Sequence, residues 1–226
     1  YSDRDLDPSY DKASAVGINL DECDSPLTID SEGTYILSGT LENGQIVVDI
    51  SDNEKIQLVL DGITLASSQS APLHIKEADK VFLTLAEGST NSLTGPDAYS
   101  EEGSAENIDG VIFSKGDLTI NGSGDLKINA SEGHGIVSKD DLIITGGNID
   151  VTAAKDGLQG KDCVKINDGS VTIDAENDGI RSSNSEDEYR GFISIDGGSF
   201  KINAGYDGLQ AETLLRTAGG SFDITT

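Results

Sequence analysis

The sequence predicts an all-β chain, wound as a right-handed single-stranded parallel β-helix in one domain. Three observations predict it. First, a glycine and an apolar residue recur after an acidic or polar one: Asp109-Gly110-Val111, His134-Gly135-Ile136, Asp156-Gly157-Leu158, Asp178-Gly179-Ile180 and Asp207-Gly208-Leu209, at spacings of 25, 22, 22 and 29. Second, a column at Gly124, Gly147, Gly169, Gly198 and Gly220 keeps the same phase, at spacings of 23, 22, 29 and 22. Third, apolar and polar residues alternate between these bends, the period of a half-buried strand. One coil of about 22 residues cannot bury its inward face alone, but stacked coils bury a continuous core.

Taken in order, residues 1–32 are polar, carry Pro8 and Pro26, and read as a loose N-terminal cap, with coils over 33–226. Residues 34–50 supply one coil, and 56–65 and 81–93 supply two less regular ones. The third regular repeat shows the pattern best, with strands at Leu158-Gln159, Val164-Lys165-Ile166 and Val171-Thr172-Ile173. Both glycine columns stretch once, between 179 and 192, so a single insertion around Ser183–Arg190 explains both. The chain ends one strand after Gly220, and the open sheet edge there predicts further coils beyond Thr226. It starts at Tyr1 and contains no methionine, which is consistent with a removed export signal and a secreted or cell-surface protein.

Charge narrows the partners. With 15 Lys and Arg against 41 Asp and Glu the formal charge is −26. That excludes a nucleic-acid partner, which needs basic residues to release phosphate counterions, and disfavours anionic membranes. No apolar run approaches the length of a membrane span, so membrane insertion is not expected. There is no tryptophan for a sugar-stacking platform. Cys23 and Cys163 lack metal-ligand spacing and read as two buried thiols, with a disulfide left open.

Four segments carry a resemblance: Phe113–Ile120 (FSKGDLTI), Val137–Leu142 (VSKDDL), Lys155–Asp162 (KDGLQGKD) and Asp207–Glu212 (DGLQAE). Over about residues 33–226 the chain resembles the polysaccharide-lyase-like carbohydrate-binding family. The resemblance implies a right-handed parallel β-helix, bound calcium, an extracellular location and plant cell-wall polysaccharide as partner, cellulose or polygalacturonate.

The stacked residues suggest where calcium would sit. Coils lie about 4.8 Å apart, so Asp156, Asp178 and Asp207 form a column of carboxylates. Two such charges repel by about 3.5 kcal/mol at an effective dielectric of 20. A calcium ion, with oxygens at about 2.3–2.6 Å, bridges them and reverses the sign. Asn177 adds a neutral oxygen, and the glycine after each aspartate leaves carbonyls as extra ligands. His134 interrupts the column, so Asp109 serves a separate site or none. Asp-Gly is also simply a good turn sequence. A second acidic column holds Asp140 and Asp162, with Glu212 at a comparable offset, and Glu186, Asp187 and Glu188 of the insertion could lend ligands.

For the polysaccharide, Lys115, Lys139 and Lys161 form a column able to hold uronate carboxylates; alternatively they neutralise Asp140, Asp162 and their neighbours. Arg181 and Arg190 flank the insertion, and Tyr99, Tyr189 and Tyr206 are the aromatic rings near loops. The expected function is non-catalytic polysaccharide binding with calcium. The competing class is a calcium-dependent pectate lyase using a Lys or Arg base, although an array of lysines is unlike a singular catalytic base. A third is a structural adhesin module.

Overall fold

The computed structural model describes the backbone of all 226 residues and every side chain except those of Glu102 and Ser104. The chain is almost entirely β, and every strand pairing among the described residues is parallel. One sheet has 15 strands and the other eight. Neither closes into a barrel; the larger runs from Leu214–Thr217 at one edge to Ser221–Thr225 at the other.

One coil explains both sheets. Leu158–Gly160 belongs to the eight-stranded sheet, while Cys163–Ile166 and Ser170–Ala175 belong to two limbs of the larger one. The next coil lays Ile180–Ser182, Phe192–Ile195 and Ser199–Ala204 on these three strands in register. The limbs merge where Gly33–Leu41 and Lys55–Ala66 run through both without a break. Lys55–Ala66 bends at Gly62, whose φ of +82° is a conformation that glycine adopts without a side-chain clash.

The pleat sorts residues. Ile56, Val81, Leu118, Leu142, Val164 and Ile193 stack as one inward column, all fully buried. Each such side chain stabilises by about 1.5–3 kcal/mol. Like residues one coil apart meet over their whole length, so a core of Ile, Leu and Val needs no aromatic filler. Phe200 and Phe222 continue one column as stacked rings, 4.8 Å between centroids. Cys163 is buried as expected, but Cys23 is half-exposed, and both are free thiols.

Two segments lie on the outside of the coils. The stretch from Gly95 to Asp109 carries the short helix Glu101–Ala105. With it, Ala71, Ile108, Phe113 and Val137 form a second apolar cluster on the outer face of the eight-stranded sheet, and Tyr99 packs against it. Burial and nearby Asp109 push the Tyr99 hydroxyl pKa upward, so this ring is a packing residue. The N-terminal residues are not a loose cap throughout. Asp5, in the turn Asp3–Leu6, is buried against Lys80, Thr119 and Thr145 on the outer face of the larger sheet. Among the described residues, no helix is long and apolar enough to cross a membrane.

Candidate functional site

The column of bends is a ladder of hydrogen bonds. The backbone N–H of Asp178 donates to Asp156 Oδ1 (3.2 Å), that of Asp207 donates to Asp178 Oδ1 (3.0 Å), and that of Asp156 donates to His134 Nδ1 (3.1 Å). Each side chain therefore satisfies the coil above it. The second oxygens turn toward basic groups: Asp156 Oδ2 lies 3.3 Å from His134 Nδ1 and 3.8 Å from Arg181 Nη1, and Asp178 Oδ2 lies 3.9 Å from Arg181 Nε. His134 Nε2 faces Asp109 Oδ2 at 3.5 Å. Burial works against charge on His134, but its contacts with Asp109 and Asp156 outweigh that and raise its pKa. Burial likewise opposes ionisation of Asp156, yet His134 and Arg181 hold its pKa below the usual carboxylate range. With Nδ1 unprotonated His134 accepts the Asp156 N–H and continues the ladder; once protonated, the same nitrogen donates to Asp156 Oδ2 instead, so in that state the predicted interruption is a bridge between Asp109 and Asp156. Asp207 is exposed and Asn177 is half-exposed.

The glycines of this column have a different role from the one expected. The carbonyls of Gly157, Gly179 and Gly208 accept the N–H groups of Ile136, Leu158 and Ile180. They are ladder bonds, not spare ligands. A Cβ on Gly157 would stand 2.5 Å from Ile173 Cγ2 and 2.7 Å from the Gly179 carbonyl. Gly157→Ala is expected to cost about 1–3 kcal/mol, the range for overpacking. Gly62→Ala would meet no atom within 4 Å and tests strain alone. Urea denaturation of the two variants separates crowding from backbone strain.

The densest acidic cluster lies elsewhere. Carboxylate oxygens of Asp117, Asp140 and Asp141 lie within 4.8 Å of one another. Asp117 and Asp141 open neighbouring strands, and Asp140 sits at the bend before Asp141. Burial, then a hydrogen bond with Asp162 and the charge of Asp117, push the Asp140 pKa up to about 7. Burial and the charge of Asp141 raise that of Asp117. Asp162 is adjacent, its N–H donating to the Asp140 carbonyl at 3.2 Å, but its carboxylate is already held by Arg190 and by Asn184 Nδ2. The donors are hard oxygens, and opposite ligands of calcium stand about 4.6–5.2 Å apart, so the cluster fits that ion. Lys165, 3.2 Å from Asp141, and Lys80, 3.9 Å from Asp117, offset only part of the charge. The sequence reading missed Asp117 and Asp141. Aligning Lys115-Gly116-Asp117, Lys139-Asp140-Asp141 and Lys161-Asp162-Cys163 by their lysines would have found them. Glu186 and Glu188 are exposed, and Asp187 pairs with Arg190.

The lysine column stacks as predicted: Lys139 N–H donates to the Ser114 carbonyl and Lys161 N–H to that of Ser138. Lys115 N–H donates to the Ile75 carbonyl, which adds Lys76 to the row. Lys76 pairs with Asp49 (2.7 Å), Lys115 with Glu106 (3.5 Å) and Lys139 with Asp109 (3.7 Å). The neutralised partners are these three, not Asp140 and Asp162. Lys161 is exposed and in no ion pair among the described residues.

The outer column of the eight-stranded sheet runs Phe113, Val137, Gln159, Arg181, Gln210. Its first two members lie in the second apolar cluster; the last three form a half-exposed polar strip. Along this strip Asp156 Oδ2, Arg181 Nε and Gln210 Oε1 are buried atoms without hydrogen-bond partners. Tyr206 precedes the strip at one edge and Tyr189 lies in the insertion at the other, with relative exposures of 70% and 80%. The strip offers donors and acceptors together, with an aromatic ring on either side.

Comparison with known proteins matches this architecture. A family model described as "carbohydrate-binding domain-containing protein" matches residues 23–226. A protein of that description from Acetivibrio thermocellus is 41% identical over 145 residues, which is 63% of this chain and 51% of the relative. The aligned part thus spans about half the length of that relative. A solved structure described as the polysaccharide lyase-like protein from C. thermocellum, gadolinium derivative, superposes with a TM-score of 0.84 at 33% identity, covering 92% of this chain and 99% of that one. The chain belongs to the carbohydrate-binding domain family.

Proposed function

We propose that this is a non-catalytic, calcium-bearing module that binds plant cell-wall polysaccharide outside the cell. The carrying observation is the half-exposed strip Gln159, Arg181 and Gln210 on successive coils between two exposed tyrosines, where Arg181 Nε and Gln210 Oε1 have no hydrogen-bond partner. A buried polar group left unpaired costs about 1–3 kcal/mol, so a ligand that pairs these atoms gains that back. Sugar hydroxyls both donate and accept, as the strip requires, and tyrosine offers a flat ring with a polar tip. Lys161 stands at the strip's edge to take a uronate carboxylate, so both cellulose and polygalacturonate fit the chemistry. The extracellular location follows from the ligand.

Calcium belongs at Asp117, Asp140 and Asp141, with Asp162 beside them. When bound it supplies positive charge that relieves the repulsion among these carboxylates. That the similar solved protein was prepared as a gadolinium derivative agrees with this, since gadolinium is another hard cation that takes oxygen ligands. The coils wind right-handed in this reading, the sense that nearly all parallel crossover connections take.

Retention on insoluble cellulose and polygalacturonate tests the binding face. Arg181→Ala and Tyr206→Ala are expected to lower retention on at least one polymer about tenfold or more, the scale of a truncated hot-spot residue. Unchanged retention in both variants would place the site elsewhere. Release of an unsaturated product from soluble polygalacturonate, read by absorbance, would instead make the protein a lyase.

A further inference from the structure

The outer face of the larger sheet holds a second groove, and the chain's own N-terminus lies in it. Gln57, Phe82, Thr119, Ile143, Lys165 and Ser194 stack outward as one column on six successive coils. A parallel column holds Thr84, Asn121 and Thr145. The first nine residues cross these coils. Tyr1 lies near Asp196 at one end, close enough that burial and this carboxylate raise its hydroxyl pKa, and Gln57 Nε2 donates to the Ser9 carbonyl at the other (3.4 Å). Between them, the Arg4 guanidinium covers the Phe82 ring at 4.3 Å.

Asp5 is the anchor. Its Oδ1 receives Lys80 Nζ at 2.8 Å and Thr119 Oγ1 at 2.7 Å, and its carbonyl accepts Thr145 Oγ1 at 2.6 Å. Asn121 Nδ2 reaches the same carbonyl at 3.5 Å. The Lys80 and Asp5 side chains are only 9% and 2% exposed. Four side chains from three coils therefore converge on one carboxylate and one neighbouring oxygen. No strand pairing involves residues 1–15 among the described residues, so this segment can leave without breaking a coil's ladder. A cavity of about 500 Å³ already opens between Asp7–Tyr10 of the segment and Thr84–Ala86, Gly122 and Ser123 of the coils.

We propose that this groove is a binding site for the carboxylate of a uronic-acid polysaccharide, and that residues 2–9 are a strap filling it until such a chain displaces them. Lys80 and Thr119 would take the uronate carboxylate in place of Asp5, Thr145 and Asn121 a ring hydroxyl, and Phe82 one face of a sugar. A polymer fits this groove better than a small anion, because the strap itself is a chain lying across the coils. The inference rests on the polysaccharide-binding reading but uses none of the residues of the Arg181 strip.

The test uses the full chain and trigalacturonate as probe. Hydrogen exchange of the amides in residues 3–9 is expected to accelerate at saturating trigalacturonate, because strap and sugar compete. By calorimetry, Asp5→Ala is expected to bind trigalacturonate about tenfold more tightly than the wild type, since a closed strap masks all but a small fraction of the site. The double variant Asp5→Ala/Lys80→Gln is expected to lose that gain. Unchanged strap exchange in wild-type protein saturated with trigalacturonate overturns the inference without any variant having to fold, as does an unaltered affinity in Asp5→Ala. If neither protein binds trigalacturonate while the wild type is still retained on insoluble polysaccharide, the inference fails and the proposed function stands. Retention on no polysaccharide at all sinks both.

Discussion

Asp156→Ala is expected to lower stability by about 3–5 kcal/mol, the cost of removing one partner from a buried ion pair. Asp156 is fully buried and serves three neighbours at once: the Asp178 N–H, His134 and Arg181. The substitution leaves a buried N–H without an acceptor, and leaves His134 and Arg181 with only Asp109 and Asp178 as anions. Asp150→Ala removes an exposed side chain that makes no ion pair or side-chain hydrogen bond among the described residues, and should stay within about 0.5 kcal/mol. The penalty at Asp156 also depends on pH. The His134 pKa is raised by its carboxylates, so its share of stability is present below its unfolded value of about 6.5 and is lost as pH rises through the folded value. The Asp156 pKa is depressed, so its share is present above about 4 and is lost as pH falls through the folded value. The difference between wild type and Asp156→Ala should therefore be larger at pH 5.5 than at pH 8. Chemical denaturation at the two pH values measures it. Equal penalties for Asp156 and Asp150 would mean that the ladder carries no weight.

The contrast between these aspartates shows what the sequence carried and what it did not. The repeat fixes register: Asp156, Asp178 and Asp207 do stack, and so do Lys115, Lys139 and Lys161. Strands in the third repeat fall within a residue or two of the predicted ones, because alternation and glycine bends are local signals. What each stacked side chain does depends on partners from distant sequence. Nothing near Asp156 in the sequence says that Arg181, one coil on, turns back onto it, or that His134 receives its N–H. Lys115 and Lys139 meet Glu106 and Asp109 because the stretch from Gly95 to Asp109 folds over the eight-stranded sheet, and no periodicity encodes that excursion. The same holds for Asp5, which lies 114 residues from Thr119 in sequence and 2.7 Å from it in space. Asp117 and Asp141 were legible in principle, since they share a register with each other; they were hidden because one follows Gly116 and the other Asp140, so their common offset from the lysines was not compared.

Calcium added to chelated protein is expected to raise the melting temperature by about 5–11 °C at a hundredfold excess over its dissociation constant. Mass action supplies about 2.7 kcal/mol at that excess, and a domain of this size gains about 2–4 °C per kcal/mol. The ion must compete with a proton. With its pKa raised to about 7, Asp140 holds a proton in the folded chain that it has lost in the unfolded one between pH 4 and 7. Without calcium, stability should therefore fall as pH rises through that window, the reverse of the Asp156 effect. Calcium binding expels the proton, so its apparent affinity should weaken about tenfold per pH unit below 7 and level off above. Asp140→Asn separates the two consequences. It removes an anionic ligand and should abolish the calcium-dependent rise in melting temperature. It also removes a charge repelled by Asp117 and Asp141, so at pH 8 the calcium-free variant should melt no lower than the calcium-free wild type. Calorimetric calcium titrations at pH 6 in buffers of different ionisation enthalpy count the released protons. A variant that keeps the calcium-dependent rise, or a wild type that releases no proton, would remove the ion from this cluster.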